Sequence, residues 1–120
     1  TYALKSVVNG GTGGAALALG RPAAGKTGTS QSNASAWFSA YTPQLAASVA
    51  LFRDSASESL NGIGGLTSVT GGTFPARIWT AFMKGALKDE PVMSFPAPAN
   101  IGGLEPVVMT SGGRQTMKKK

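Results

Sequence analysis

The stretch Ala24-Gly25-Lys26-Thr27-Gly28-Thr29-Ser30, followed by Ala36-Trp37-Phe38-Ser39-Ala40-Tyr41-Thr42-Pro43, decides how this chain reads. In the second segment Trp37 and Tyr41 share one face with Ser39 between them, and Ala36, Phe38 and Ala40 share the other. That two-residue period belongs to a half-buried strand. Thr42-Pro43 closes it with a turn, because proline fixes its own φ and restricts the residue before it. Residues 45–52 form a further strand ending in Val49-Ala50-Leu51-Phe52. Residues 24–30 have poor strand propensity by themselves, but short links to the next two segments make an antiparallel meander of three strands.

Outside the meander the pattern is helical. Leu4, Val7 and Val8 recur at helical spacing with Ala3 beside them, and Asn9-Gly10-Gly11 stops the helix. Residues 10–20 form a Gly- and Ala-rich connector. Within it Gly11-Thr12-Gly13-Gly14-Ala15-Ala16 matches the dinucleotide-loop pattern G-x-G-x-x-A, but it follows a helix end rather than a strand and is set aside. Residues 53–72 read as a long polar, Gly-rich loop, a length that is often functional. A helix is predicted from Phe74 to Lys88, with Thr73 as N-cap and Pro75 in the first turn. Its apolar stripe, Ile78, Trp79, Phe82, Met83, Ala86 and Leu87, is expected to face the sheet. Residues 91–120 hold four of the seven prolines and read as an extended or disordered basic tail.

Composition narrows the function classes. The chain has 120 residues, 42% of them hydrophobic, and 17 glycines. Gly and Ala bury little area each, so the core is expected to be thin and the chain to be part of a larger domain. The net charge is +6, of which residues 104–120 supply +3 through Arg114, Lys118, Lys119 and Lys120 against Glu105. No aromatic residue interleaves those lysines, so they read as a solvated tail and not as a nucleic-acid surface. Cysteine and histidine are absent. That excludes disulfides, thiolate metal sites, a cysteine nucleophile and a Ser-His-Asp triad within the chain. Zinc chemistry would have to rest on five scattered carboxylates, a poor ligand set, so no metal or cofactor is expected. No apolar run approaches the ~20 residues of a membrane span, and no signal peptide opens the chain.

The tetrad Lys26-Thr27-Gly28-Thr29 offers specific chemistry on an edge strand beside a cleft. Lys26 is a compact cation able to attract a carboxylate or support a proton transfer. Thr27 and Thr29 are two residues apart, so their hydroxyls share a face and can grip one carboxylate. Gly28, without a side chain, lets a backbone or a ligand approach. An edge strand also has free N–H groups, and one can serve as half of an oxyanion hole.

The wider pattern runs from Ala-Gly-Lys-Thr-Gly-Thr-Ser through Trp37-Phe38 and Tyr41-Thr42-Pro43 to Gly71-Gly72 and Phe74-Pro75-Ala76-x-Ile78-Trp79-x-x-Phe82-Met83. Over residues 1–88 it resembles the C-terminal part of the transpeptidase domain of bifunctional, high-molecular-weight class A penicillin-binding proteins, whose site motifs include Lys-Thr-Gly. The resemblance implies an α+β fold, an antiparallel sheet packed against helices, with residues 1–90 belonging to the transpeptidase domain. It implies serine acyl transfer on stem peptides ending in D-Ala-D-Ala, with β-lactams acylating the same serine. Lys26 would maintain positive potential and link to the Ser-x-Asn serine. Thr27 and Thr29 would bind the terminal carboxylate, the Thr29 N–H would complete the oxyanion hole, and Gly28 would leave clearance. Catalytic roles thus fall to Lys26 and Thr29, and substrate binding to Thr27, Gly28 and Thr29. Trp37 and Tyr41 are structural or cleft-lining.

Three departures from the family pattern matter. No Ser-x-x-Lys occurs in the chain. Ser59-Leu60-Asn61 fits Ser-x-Asn literally, but it follows Lys-Thr-Gly instead of preceding it and reads as coincidence. The glycosyltransferase domain and membrane anchor of the family are absent from this sequence. The implied partners are therefore the remainder of the domain with its Ser-x-x-Lys and Ser-x-Asn, peptidoglycan stem peptides and β-lactams, but no nucleic acid. The implied location is the extracytoplasmic face of the bacterial cell membrane, with the anchor outside this chain. Two alternatives stand beside this reading: a β-lactamase or D,D-carboxypeptidase of the same fold, and a non-catalytic domain that binds cell-wall peptide.

Overall fold

A computed structural model of the chain describes residues 1–99. The elements in order are helix α1 (Tyr2–Gly10), a 3-10 segment (Gly14–Leu19), strand β1 (Ala24–Thr29), strand β2 (Ser35–Tyr41), strand β3 (Ala46–Phe52) and helix α2 (Phe74–Ala86), with short 3-10 turns at Gln31–Asn33 and Ile63–Gly65. The strands form one antiparallel sheet in the order β1-β2-β3. This is the meander read from the sequence, in an α+β fold with helices packed on the sheet.

The alternation in β2 assigns the two faces. Ala36, Phe38 and Ala40 are buried, whereas Trp37 and Ser39 are exposed. The buried face carries the core: Phe38, Trp79 and Met83 are fully enclosed, with Val8 of α1 and Leu19 of the 3-10 segment around them. Much of the rest is alanine, at positions 16, 23, 40 and 76. Such side chains bury little area, so the two aromatic rings contribute disproportionately. Phe38 meets Trp79 edge to face, with ring centroids 5.5 Å apart and planes at 83°. The Trp79 indole N–H donates to the carbonyls of Ala40 at 3.2 Å and Ala47 at 3.1 Å, which are paired across β2 and β3. One side chain therefore supplies packing and ties α2 to two strands. A second, smaller cluster of Ala36, Leu60 and Val69 anchors the long loop after β3.

The face of α2 differs from the sequence expectation. Trp79, Met83 and Leu87 are buried as predicted, but Ile78 and Phe82 are 46% and 54% exposed, and Ala86 is also exposed. The buried stripe is centred instead on Ala76 and Thr80, small residues that allow the helix to sit against the 3-10 segment. Thr80 is tolerated there because its hydroxyl donates to Ala76 O, one turn back, at 2.7 Å. Thr73 occupies the N-cap position and Pro75 the first turn, as predicted, but the Thr73 hydroxyl bonds the Thr70 carbonyl at 2.7 Å instead of a helix N–H.

At its other end α2 is closed by an arginine. Arg21 donates to Leu87 O at 2.9 Å, Glu90 O at 3.3 Å and Pro91 O at 3.5 Å. A cation there complements the negative helix terminus. Residues 91–99 have no helix or strand, yet Phe95 packs edge-on against Tyr41 at 5.6 Å. The basic residues of the expected tail lie outside the described residues. The outer side of β3 has no strand partner among the described residues, and Ala46–Phe52 carries no charged side chain. Among the described residues no helix is long and apolar enough to cross a membrane.

Trp79→Ala should destabilise the intact protein by about 3–5 kcal/mol. Trp79→Phe, which keeps one ring on Phe38 and removes the N–H together with the volume of the second ring, should cost less, about 1–3 kcal/mol. Denaturant unfolding distinguishes them, and a Phe variant as unstable as the Ala variant would mean that the ring retained on Phe38 contributes nothing to the packing.

Candidate active site

Among the described residues β1 is an edge strand, paired only with β2, in the register Lys26↔Ser39, Thr27↔Phe38, Gly28↔Trp37 and Thr29↔Ala36. Residues opposite one another in an antiparallel pair share a face. Thr27 and Thr29 therefore lie on the face of Ala36 and Phe38, and Lys26 and Gly28 lie on the outer face with Ser39 and Trp37. Lys26 and Thr29 are exposed, and Thr27 and Gly28 are half-buried.

The register also fixes the backbone directions. Beyond the strand end, Ser30 N–H donates to Ser35 O at 2.9 Å. Hydrogen-bonded pairs alternate along an antiparallel ladder. Ser30, Gly28 and Lys26 thus turn their N–H and C=O groups toward β2, and Thr29 and Thr27 turn theirs to the outer edge. The lysine follows: Lys26 Nζ leaves its own face and donates to the outward Thr27 carbonyl at 2.8 Å. The tetrad thus brings a cation and an outward N–H to one edge, and sets its two hydroxyls on the adjoining face with Ala36 and Phe38.

Both hydroxyls are engaged by other parts of the chain. Thr27 Oγ1 lies 2.6 Å from Thr12 Oγ1, in the turn after α1. Thr29 Oγ1 accepts from Gly71 N–H at 3.2 Å, in the turn before α2. That turn presses on the strand. A Cβ on Gly71 would lie 2.1 Å from Trp37 O and within 2.9 Å of Gly28 N and O, and one on Gly72 would lie 2.2 Å from Thr12 O. The close backbone approach therefore requires glycine at 71 and 72. Gly28 is different: a Cβ there would meet only the Trp37 Cβ, at 3.4 Å, on the outer face. The sequence pointed to the glycine of the tetrad, whereas the tight contact belongs to the pair some forty residues later.

Other sequence candidates fall elsewhere. Trp37 is 45% exposed on the outer face, its indole N–H on Ser35 Oγ at 3.2 Å. Ser59-Leu60-Asn61 lies in the long loop and is structural there: Ser59 Oγ accepts from Asn61 N–H at 3.2 Å, Leu60 is buried, and Asn61 Oδ1 accepts from Asn33 Nδ2 at 2.7 Å. Among the described residues no group of three or more His, Cys, Asp or Glu side chains could hold a metal ion.

Comparison with known proteins places this strand in a family. No family model matches the chain. Among curated proteins it is 41% identical over 92 residues to penicillin-binding protein 1A of Mycolicibacterium smegmatis, covering 72% of this chain and 12% of that protein. Against penicillin-binding protein 1A of Pseudomonas aeruginosa it is 38% identical over 105 residues, covering 87% and 12%. The solved structure of the PonA1 protein of Mycobacterium tuberculosis in complex with penicillin V matches with a TM-score of 0.75 at 37% identity, over 84% of this chain and 28% of that one. The chain belongs with the penicillin-binding proteins. It spans 12% of the length of these curated relatives, and penicillin-binding protein 1A of Haemophilus influenzae matches its fold with a TM-score of 0.61 at 29% identity, over 95% of this chain and 18% of that one.

Within this penicillin-binding-protein segment, the residues missed from sequence are Thr12, Gly71 and Gly72 as partners of the edge strand. One signal existed: a glycine pair directly before a helix N-cap marks a turn with no room for side chains. Nothing in the sequence placed Thr12 beside Thr27. Gly71→Ala should destabilise the intact protein by about 3 kcal/mol, because the clash is with backbone and cannot be relieved by a rotamer. Gly28→Ala should cost less than about 1 kcal/mol. Thermal unfolding of the pair checks the contrast, and equal losses would mean that the turn does not press on the strand as described.

Proposed function

We propose that this chain supplies the substrate-binding edge strand of a peptidoglycan D,D-transpeptidase, a serine acyltransferase whose nucleophile lies outside it. The observation that carries the reading is the outward direction of the Thr29 N–H on the same edge as the Thr27 carbonyl that Lys26 Nζ bonds, an edge unpaired among the described residues. That is the geometry of an oxyanion-hole donor next to a cation. The relative solved with penicillin V supports it, since a β-lactam is an acylating group bearing a carboxylate.

In this mechanism a serine Oγ from a Ser-x-x-Lys segment attacks the carbonyl of the penultimate D-Ala. The carbonyl oxygen gains negative charge and is held by the Thr29 N–H together with that of the nucleophile. D-Ala then leaves as the amine, carrying the proton taken from the serine, and an acceptor amine later takes the acyl group and restores the serine. Thr27 and Thr29 hydroxyls hold the terminal carboxylate. Lys26 holds positive potential at the same edge and bonds the Ser-x-Asn serine. Gly28 leaves the outer face clear. The reaction runs at the extracytoplasmic face of the membrane, where the stem peptides are, with the anchor outside this chain.

The test uses the intact protein and the rate of penicillin acylation, followed by intact mass. An adduct is expected on a serine outside this sequence, and an adduct within it would sink the proposal. An outward N–H on an edge strand is a position where proline fits. Thr29→Pro should therefore acylate about 10²–10³-fold more slowly than Thr29→Val, since both lack the hydroxyl and only the first lacks the donor. Equal rates would remove the oxyanion role from Thr29.

A further inference from the structure

The two hydroxyls of the edge strand are held from outside the Lys-Thr-Gly-Thr tetrad, and the manner of holding sets which way their protons point. A threonine hydroxyl has one proton to donate and lone pairs to accept. A carboxylate only accepts, so each hydroxyl that grips it must have its own proton free. Thr29 meets that condition, because its oxygen accepts from Gly71 N–H at 3.2 Å. Thr27 meets it when Thr12 is the donor across their 2.6 Å contact.

Thr12 is not a loosely placed surface residue, although it is exposed. Gly13 N–H donates to Val7 O at 2.9 Å, closing the end of α1. A Cβ on Gly13 would lie 3.0 Å from the Phe38 ring and one on Gly11 would lie 2.9 Å from Val7 O. The Thr12 carbonyl is seated against Gly72, where a Cβ would come within 2.2 Å. The glycines that mimic a dinucleotide loop in the sequence therefore pack this turn between α1, the core ring and the turn before α2. They leave the Thr12 side chain at the strand.

We infer that Thr12 is a positioning residue for the carboxylate end of the substrate, acting through Thr27. The inference rests on the transpeptidase reading above and extends it to a residue outside the tetrad. Thr12 donates to Thr27, Thr27 donates to the incoming carboxylate, and the two bonds polarise each other. Gly71 does the same for Thr29 through the backbone. The carboxylate thus meets two hydroxyls already turned to donate.

The experiment compares acylation of the intact protein by benzylpenicillin and by its methyl ester, which lacks the carboxylate. Thr12→Val, nearly isosteric, should slow acylation by benzylpenicillin roughly tenfold, the worth of one hydrogen bond, and leave the ester rate unchanged. Thr12→Ser should restore the benzylpenicillin rate. Thr27→Val should show the same selective loss, and the double variant should be no slower than Thr27→Val alone, since both act on one interaction. Equal slowing of both compounds by Thr12→Val would overturn the inference in favour of a merely structural role, and no slowing of either would overturn it outright. A wild-type protein that takes up neither compound would overturn the transpeptidase reading and this inference with it. Wild-type acylation with an indifferent Thr12→Val would overturn the inference alone.

Discussion

The contact of Trp79 with Phe38 is the constraint on which the rest of this structure depends. The core around it is built largely from alanine, which contributes little buried area per residue. The two rings make up for that, and the indole N–H adds a direction to the packing by reaching the Ala40 and Ala47 carbonyls at once. With α2 fixed in position and rotation, the turn that leads into it falls across β1. The Gly71 contact with Thr29, the seating of Thr12 and the approach to the Gly28–Trp37 pair all follow from where that helix begins.

This explains how a strand of poor intrinsic propensity holds its shape. Two glycines, a lysine and an alanine in six residues make β1 a weak strand by composition. It is held on one side by the ladder to β2 and across one face by backbone that approaches too closely for side chains. Its polar groups are shared out: Thr27 and Thr29 hydroxyls toward neighbouring turns, the Lys26 ammonium toward the Thr27 carbonyl, the Thr29 N–H outward. Rigidity comes from the surrounding turns, and the outer edge is left to the Lys26 ammonium and the Thr29 N–H.

Much of this was legible in the sequence. The alternation of Ala36, Phe38 and Ala40 against Trp37 and Ser39 gave the buried face of β2 directly, because a two-residue period has one solution. The meander, the helix from Phe74 and the edge tetrad followed from local signals. The rotation of α2 did not, because its apolar residues span more than one face. Ile78 and Phe82 compete with Ala76 and Thr80 for the core, and the small pair is buried because the Gly/Ala-rich segment packs closely there. The six-residue 3-10 segment Gly14–Leu19 carries no periodic signal of its own. The pairing of Thr12 with Thr27 depends on three elements meeting, and no single-sequence pattern contains that distance.

The outer side of β3 has a consequence for how the polypeptide behaves in solution. Among the described residues, the seven from Ala46 to Phe52 present an unpaired ladder with no charge, no proline and an exposed phenylalanine at the end. Natural sheets normally blunt such an edge with lysine, proline or a bulge. An edge left in this form templates the addition of further strands, from another molecule if none is nearer. Handled by itself, the 120-residue chain would therefore associate through this edge, increasingly so with its concentration.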